Sequence, residues 1–399
     1  MMNILITTFS FPSLTNGIYD GKFVLAEAIA YANNGANVRV VTPHYAGGKI
    51  KEKIHDRITV YRFRYFFPTS RQVLKQPGTP IYNQRRFTAF AQLPFFFLIF
   101  IVSVLKHALW ADIIHAQWTV SALLCLPAKW LLGKKIVLTA RGSDLRLVPD
   151  WLNRLIHYQV DGAIDCFGPQ AWNNAYKKKF SANFISLPLV VYDDASRSMP
   201  EDMKKHLSRK SHPFVILYVG RFDKIKLKEN KLPLLDLIHS SKGLREKKLN
   251  FQVFYVGDGD SGITEEMLRL IDVYGLHGDV TLLGPKINVL DYVSFCHLGV
   301  GGIAFNAVSQ EFAIRAKPQI LVEGENNADT PWRHGVNAIM IKPGNREDLS
   351  EKLDWAICNR KKSKGIGEKA KREMSKFIMD SESAGRLYLE AFRNLTIGM

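Results

Sequence analysis

Leu298–Asn345 reads LGVGGIAFNAVSQEFAIRAKPQILVEGENNADTPWRHGVNAIMIKPGN, and the rest of the chain is organised around it. Leu298–Ile303 is a short apolar run rich in glycine, the pattern of a buried parallel strand that another backbone approaches closely. Ser309 then reads as the cap of a short helix running through Ala316, with Glu311 in its first turn. Lys317-Pro318 ends that helix, and Gln319–Val322 reads as the next strand. A polar loop leads to a turn at Gly335-Val336-Asn337, a strand at Ala338–Ile341, and Pro343-Gly344 before another capped helix. Strand, helix, strand, loop and strand make half of a nucleotide-binding layer. The helix at Ser309 would offer free backbone N–H groups and a positive dipole end to a diphosphate. Glu311 beside it has the chemistry to accept hydrogen bonds from ribose hydroxyls.

The run from Glu311 to Ile320, followed by His334-Gly-Val-Asn-Ala and Lys342-Pro-Gly-Asn, resembles the donor site of retaining GT-B glycosyltransferases of the family-4 type. In that family two glutamates eight positions apart bracket the donor sugar and its ribose. Glu311 matches the second, whereas the first falls on Ile303, which cannot do the same work. The resemblance implies an α/β fold of the GT-B kind, two doubly wound Rossmann-like domains facing a cleft. It also implies transfer of a sugar from a nucleotide diphosphate sugar, with retention and without a metal or other cofactor.

Composition agrees with an ordinary globular chain. It has 399 residues, enough for two domains, with 47% hydrophobic and 23% charged residues. A net charge of +17 points to an acidic partner: nucleic acid, an anionic membrane or phosphate-bearing small molecules. No nucleic-acid motif with interleaved aromatics is present, so nucleic acid is not expected. Cys125, Cys166, Cys296 and Cys358 are far apart, which suggests neither zinc nor a disulfide framework. The start, MMNILITTFS, lacks the pattern of a signal peptide, and a cytoplasmic setting is expected.

Outward from the quoted stretch, both flanks alternate strand and helix. Asn3–Thr8 reads as a strand and enters a loop holding Gly17 and Gly21; Phe23–Asn33 follows as a helix and Val38–Thr42 as a second strand. Any Rossmann-like domain opens this way, and so does the family, whose loop here approaches acceptor and donor phosphates. Ala111–His115, Ile136–Thr139 and Ala163–Phe167 read as further strands, with an apolar helix at Ser121–Leu132 and Ile185–Val191 closing the first domain. Arg141-Gly142-Ser143-Asp144 resembles the family's His-Gly-Ser-Asp. Arg141 replaces the histidine and would bind phosphate or a carboxylate-bearing sugar, or else stand as a solvated loop residue.

Residues 192–212 have the polar composition of a connection between domains, and 213–380 form the expected donor domain. Phe214–Val219 reads as its first strand. The Gly220-Arg221 turn and a lysine-rich loop after it resemble the pair that grips the departing diphosphate, with Lys226 the match and Lys228 and Lys231 as competitors. Gly257-Asp-Gly-Asp-Ser-Gly262 spells a dinucleotide fingerprint, but after the second strand of its domain, so it reads as the family's Gly-Asp-Gly turn and not as an NAD site. The resemblance thus assigns catalytic roles to Arg221, Lys226 and Glu311, and donor binding to Gly17, Gly21, Arg141, Gly220, Asn306, Ser309 and Gln310. The last helix, within 381–399, is expected to cross back to the first domain, as in GT-B relatives.

Leu93–Leu105, LPFFFLIFIVSVL, is the most apolar run, and at 13 residues it falls short of the roughly 20 that span a bilayer. Arg71, Lys75, Arg85, Arg86 and Lys106 flank it. Such an element either lies in a membrane interface or is a buried core helix. Many relatives act on lipid-linked acceptors, so the resemblance makes a lipid-linked glycan acceptor and an anionic membrane surface the expected partners, with the protein peripheral on the inner face.

Overall fold

The computed structural model describes residues 1–13, 21–45, 47–75, 87–140, 148–165, 184–191, 198–207, 211–286, 288–303, 307–324, 331–375 and 377–396. They form two compact units, Met1–Tyr192 with Met379–Met399, and Asp193–Ile378.

The first unit holds β1 (Asn3–Thr7), β2 (Asn37–Pro43), β3 (Lys51–His55), β4 (Ile58–Phe63), β5 (Ile113–Gln117), β6 (Lys135–Thr139), β7 (Gly162–Asp165) and β8 (Phe184–Ser186). Their order is β3-β4-β2-β1-β5-β6-β7-β8, and all run parallel except β3. Strands β1 and β5 are buried along nearly their whole length because helices cover both faces of a parallel sheet. The β3–β4 hairpin escapes such a reading: Lys51, Lys53 and Arg62 break the apolar pattern, and Glu52 and Arg62 pair inside it at 2.7 Å. The expected strand at Ile185–Val191 is two, β8 and β9 (Leu189–Val191), interrupted at Leu187-Pro188. Strand β9 pairs instead with β16 (Ile378–Asp380). After β16 the helix Ser381–Thr396 packs on helix Lys22–Asn33, where Tyr31 meets Tyr388 and Phe392.

The apolar run belongs to a longer helix than expected, Phe87–Ala108, which at 22 residues is long and apolar enough to cross a membrane by length and composition alone. One face is built into the core: Phe96 and Phe100 pack against Phe9 and Phe63 with ring centroids 5.2–5.9 Å apart. The other face leaves Phe90, Phe95, Leu98 and Val102 exposed. Lys75, grouped above with the basic flank, is buried, its backbone N–H donating to the Tyr65 hydroxyl, so it is not a surface charge. Arg85 and Arg86 lie outside the described residues.

The second unit is an all-parallel sheet of β10 (Phe214–Val219), β11 (Phe251–Val256), β12 (Val280–Gly284), β13 (Leu298–Ile303), β14 (Gln319–Val322) and β15 (Ile339–Ile341), ordered β12-β11-β10-β13-β14-β15. Part of the expected connection is structured. Glu201–Leu207 is a helix whose Met203 is fully buried against Val215 and Phe254, and whose Asp202 bonds Lys286 and the Tyr292 hydroxyl. Its clustered charges read as linker because a single buried methionine in seven residues gives no visible periodicity.

Candidate functional site

In each sheet the chain starts in the middle and builds outwards in one direction before returning to build in the other. The reversal falls between β10 and β13 in the second unit and between β1 and β5 in the first. Loops at the carboxyl ends of two such strands diverge and leave a crevice, the usual ligand site of open parallel sheets.

In the second unit, β10 leads into Gly220-Arg221, and β13 leads towards helix Ala307–Ile314. The glycine pattern at Gly257 has its cause here. Gly257 has φ +142°, and a Cβ on it would lie 1.9 Å from the Gly220 carbonyl oxygen; one on Gly259 would lie 2.4 Å from that of Phe222. Phe222 N–H donates to Asp258 O, and Asp260 N–H donates to Phe222 O. The two βα turns are thus laced backbone to backbone, and the glycines hold the Arg221 turn in place. The next helix, Ser261–Val273, is capped by its own Asp260, whose Oδ1 accepts from Ile263 N–H. A carboxylate of the chain occupies the position that a pyrophosphate takes in a dinucleotide fold.

The lysine-rich segment after Arg221 is helical, contrary to the loop expected there: Lys224–Lys228 forms one turn, with Asp223 Oδ1 accepting from the N–H groups of Ile225 and Lys226. Arg221 and Lys226 are exposed and have no ion-pair partner among the described residues, whereas Lys231 pairs with Glu229 at 2.6 Å. Of the competing lysines, Lys231 is therefore engaged elsewhere.

Helix Ala307–Ile314 starts two residues earlier than Ser309, so Ser309 is not its cap. It sits in the first turn, buried, with its carbonyl accepting from Gln319 Nε2 at 2.8 Å. Gln310 and Phe312 of this helix are buried, Phe312 in a cluster with Val215, Leu217 and Phe254. Gln310 is 3% exposed, and its Oε1 has no hydrogen-bond partner among the described residues. An unmatched buried amide oxygen costs about 1–3 kcal/mol, and such vacancies occur where a ligand completes the set. Glu311 follows, half-buried. The helix ends at Ile314 and not at Ala316, because Ala316 takes a left-handed conformation, φ +54°. Asn337 of the HGVNA segment is wholly buried: its Oδ1 accepts from Arg333 N–H and its Nδ2 donates to the Pro331 carbonyl and to Glu373, so it braces the loop.

In the first unit, Gly21 (φ +82°) precedes helix Lys22–Asn33, and a Cβ there would lie 2.3 Å from the Ser10 carbonyl oxygen. Below it lies a polar group that sequence reading missed. His115 shares hydrogen bonds with Tyr31 Oη (3.0 Å) and Thr139 Oγ1 (2.7 Å), and Gln117 Nε2 donates to Glu27 Oε2 (2.7 Å), all of them buried. The visible signal was His115 and Gln117 alternating within an otherwise apolar strand. Trp118, at the end of β5, has φ +69° and ψ 147°, a region nearly reserved for glycine that costs about 1–3 kcal/mol. Strained and buried polar residues both gather at this reversal.

Gly17, Arg141 and Asn306 lie outside the described residues. Among the described residues no group of three His, Cys, Asp or Glu side chains is placed to share an ion. Cys125 and Cys296 are free, and burial pushes both thiols up to about 12, which leaves them unreactive.

No protein-family model matches the chain, and no curated protein matches its sequence. Solved structures do match, over essentially its whole length. A sucrose-phosphate synthase from Thermosynechococcus elongatus superposes with a TM-score of 0.74 at 16% identity, covering 100% of both chains. The Anabaena protein HepE in complex with UDP-glucose gives 0.67 at 17% identity, covering 99% of this chain and 100% of that one. The trehalose-6-phosphate synthase OtsA gives 0.67 at 14%, covering 98% and 99%. The chain has the GT-B fold. Within a GT-B chain, the β10/β13 reversal belongs to the second Rossmann-like unit, where Arg221, Lys226, Gln310 and Glu311 all stand.

Proposed function

We propose that this GT-B chain is a glycosyltransferase that takes a sugar from a nucleoside diphosphate sugar. The observation that carries the reading is the β10/β13 reversal: Arg221 and Lys226, without ion-pair partners among the described residues, follow one strand, and a helix turn with Gln310 Oε1, unbonded among the described residues, follows its neighbour. Cations on one side suit a diphosphate, and the first turn of helix Ala307–Ile314 supplies N–H groups and a positive dipole end. Two of the superposable structures hold a UDP sugar: HepE with UDP-glucose, and the E. coli trehalose-6-phosphate structure with UDP-2-fluoro glucose. In this proposal Arg221 and Lys226 neutralise the leaving diphosphate without a metal, Ser309 and Gln310 line the donor, and Glu311 holds the ribose. Gly220 sets the turn, and the resemblance implies donor-binding roles for Gly17, Gly21, Arg141 and Asn306 as well. The acceptor hydroxyl oxygen bonds to the anomeric carbon as the bond from that carbon to the donor phosphate oxygen breaks. The electron pair leaves with the nucleoside diphosphate, whose oxygen takes the hydroxyl proton, so configuration is retained without a protein base.

The acceptor in this reading is a lipid-linked glycan. Helix Phe87–Ala108 presents Phe90, Phe95, Leu98 and Val102 to solvent, and the adjoining helices Thr119–Leu132 and Asp150–Gln159 add Trp130, Leu131, Trp151, Leu155 and Tyr158. Exposed Lys106 and Arg154 stand among them. Aromatic and aliphatic side chains beside cations, in a chain of net charge +17, suit an anionic membrane interface.

Ile303 and Arg141, where the resemblance expects a glutamate and a histidine, together favour a second reading: a non-catalytic relative that binds a nucleotide sugar or a partner enzyme. Radiolabelled donors with lipid-linked acceptors separate the two, since only an enzyme releases free nucleoside diphosphate. Calorimetry tests the site itself. Arg221→Ala is expected to weaken nucleoside diphosphate binding by about 1.5–3 kcal/mol. Unchanged affinity in a folded variant would falsify the assignment.

A further inference from the structure

The second unit has a cavity at the opposite edge of its sheet. It is about 410 Å³ and is lined by Phe214, His297 and Pro318, which stand at the amino ends of β10, β13 and β14. The Gly220-Arg221 turn and helix Ala307–Ile314 follow the carboxyl ends of β10 and β13, so this cavity is not part of the crevice described above. Helix Arg360–Met374 completes it with its amino-terminal turn.

That turn is built against ordinary helix electrostatics. The amino end of a helix is its positive pole and attracts acidic residues; helix Arg346–Cys358, immediately before, has Glu347 and Asp348 there. Helix Arg360–Met374 has no acidic residue in its first turn, and the sequence there is Arg360-Lys-Lys-Ser-Lys364. Its preceding residue, Asn359, makes no side-chain cap. Arg360, Lys361 and Lys364 all line the cavity, and none has an ion-pair partner among the described residues. Two more cations come from the turn after helix Ala307–Ile314, Arg315 and Lys317, the latter also donating to the Ser294 and Cys296 carbonyls, against one carboxylate among the described lining residues, Glu368. The backbone is fitted to bring these together: a Cβ on Gly367 would lie 2.3 Å from the Ala316 carbonyl oxygen, so glycine is what lets the helix lie on that turn.

A second observation is independent of charge. Ser363 is 1% exposed, it lines the same cavity, and its hydroxyl has no hydrogen-bond partner among the described residues. Helical serines can return that hydroxyl to the carbonyl four residues back, yet among the described residues the Asn359 carbonyl receives only the Ser363 N–H. His297 adds a donor: its Nδ1 accepts from Val215 N–H, and burial, with Arg360 and Lys317 nearby, lowers its pKa, so the neutral ring carries its proton on Nε2.

We propose that this cavity is a second anion site, which takes a phosphate group borne on a small molecule between the amino-terminal turn of helix Arg360–Met374, the Ser363 hydroxyl and the surrounding cations. The crevice at the carboxyl edge and the cavity at the amino edge then bind phosphate independently, and the site stands whether or not the chain transfers sugars.

Calorimetric titration with inorganic phosphate at constant ionic strength tests it. Wild type is expected to show one saturable site beyond the crevice, retained in Arg221→Ala and weakened at least tenfold in Arg360→Gln/Lys364→Gln. Glu368→Gln removes the one opposing carboxylate and is expected to tighten binding a few-fold, a gain that misfolding cannot imitate. Without phosphate, Arg360→Gln/Lys364→Gln should melt no lower than wild type, because it relieves repulsion at the helix end. Heat that never saturates, phosphate binding lost in Arg221→Ala but kept in Arg360→Gln/Lys364→Gln, or no gain in Glu368→Gln overturns the proposal. Vesicles of phosphatidylcholine with and without phosphatidic acid identify the source. Reduced pelleting of Arg360→Gln/Lys364→Gln on the acidic vesicles assigns a lipid headgroup, and unchanged pelleting a soluble ester.

Discussion

Replacing Phe95, Leu98 and Val102 together by glutamine separates the two faces of helix Phe87–Ala108. These side chains are 53%, 61% and 56% exposed, while Phe96, between the first two, is 1% exposed. Full burial of such a side chain contributes about 1.5–3 kcal/mol, so the half still available to lipid is worth about 1 kcal/mol each. The three together then contribute about 3 kcal/mol, which is roughly a hundredfold in partitioning at about 1.4 kcal/mol per tenfold. Glutamine adds no charge and is a good helix former, so the attraction of Lys106 and Arg154 to anionic lipid is left as it was. Sedimentation with anionic liposomes over a salt series reads the two contributions apart. Wild type is expected to lose part of its binding as salt rises and to keep a residue carried by the apolar face. The triple variant should lose that residue while its melting temperature stays within a few degrees. Phe96→Gln is the internal control: its ring packs on Phe63 and Tyr65 at 5.3 and 5.0 Å, and its loss should cost about 3–5 kcal/mol of stability. A triple variant that melts like Phe96→Gln, or that sediments at high salt like wild type, refutes the interfacial reading.

Gly257→Ala should destabilise the second unit by about 3 kcal/mol and abolish nucleoside diphosphate binding, because its Cβ would meet the Gly220 carbonyl oxygen at 1.9 Å. Gly262→Ala, with only Asp260 Oδ1 nearby at 3.2 Å, serves as the mild comparison, and equal melting curves for the two would count against the laced turns. Glu52→Gln leaves the buried Arg62 guanidinium without its counter-charge and should cost about 3–5 kcal/mol by denaturant midpoint, most of it recovered in Glu52→Met/Arg62→Met; no recovery would mean that the pair is not the cause. His107 has its pKa lowered to about 4 by burial, with Arg39 and Lys106 adding to the effect. Above pH 6.5 neither state carries that proton; between 6.5 and about 4 only the unfolded chain binds it, so stability falls by up to roughly 3 kcal/mol. His107→Phe should flatten that limb of a melting-temperature profile, and an unchanged limb would assign it to other groups.

Sequence alone determined the alternation of strand and helix, since parallel strands covered on both faces, such as Phe214–Val219 and Gln319–Val322, must be apolar almost throughout. It marked Gly220-Arg221 and Glu311 as well, because turn glycines and charged residues directly after apolar runs stand out without any partner in view. Local pattern stopped where contacts over long distances took control. The β3–β4 hairpin was hidden by Lys51, Lys53 and Arg62, whose charges are tolerated at a sheet edge or answered by Glu52 across the strands. The start of helix Ala307–Ile314 was displaced because burial of Gln310 and Phe312 outweighed the capping preference of Ser309. An apolar helix looks the same whichever side faces the core, and only Phe9, Phe63 and Tyr65 decide that Phe96 and Phe100 turn inwards while Phe95 and Leu98 do not. The order β12-β11-β10-β13-β14-β15 is likewise absent from any local stretch. Strand pairing sets β10, which leads into Arg221, against β13, some eighty residues further on, after which helix Ala307–Ile314 follows. It also closes a cavity around residues as distant as Phe214 and Ser363, because hydrogen bonding between strands is indifferent to their separation along the chain.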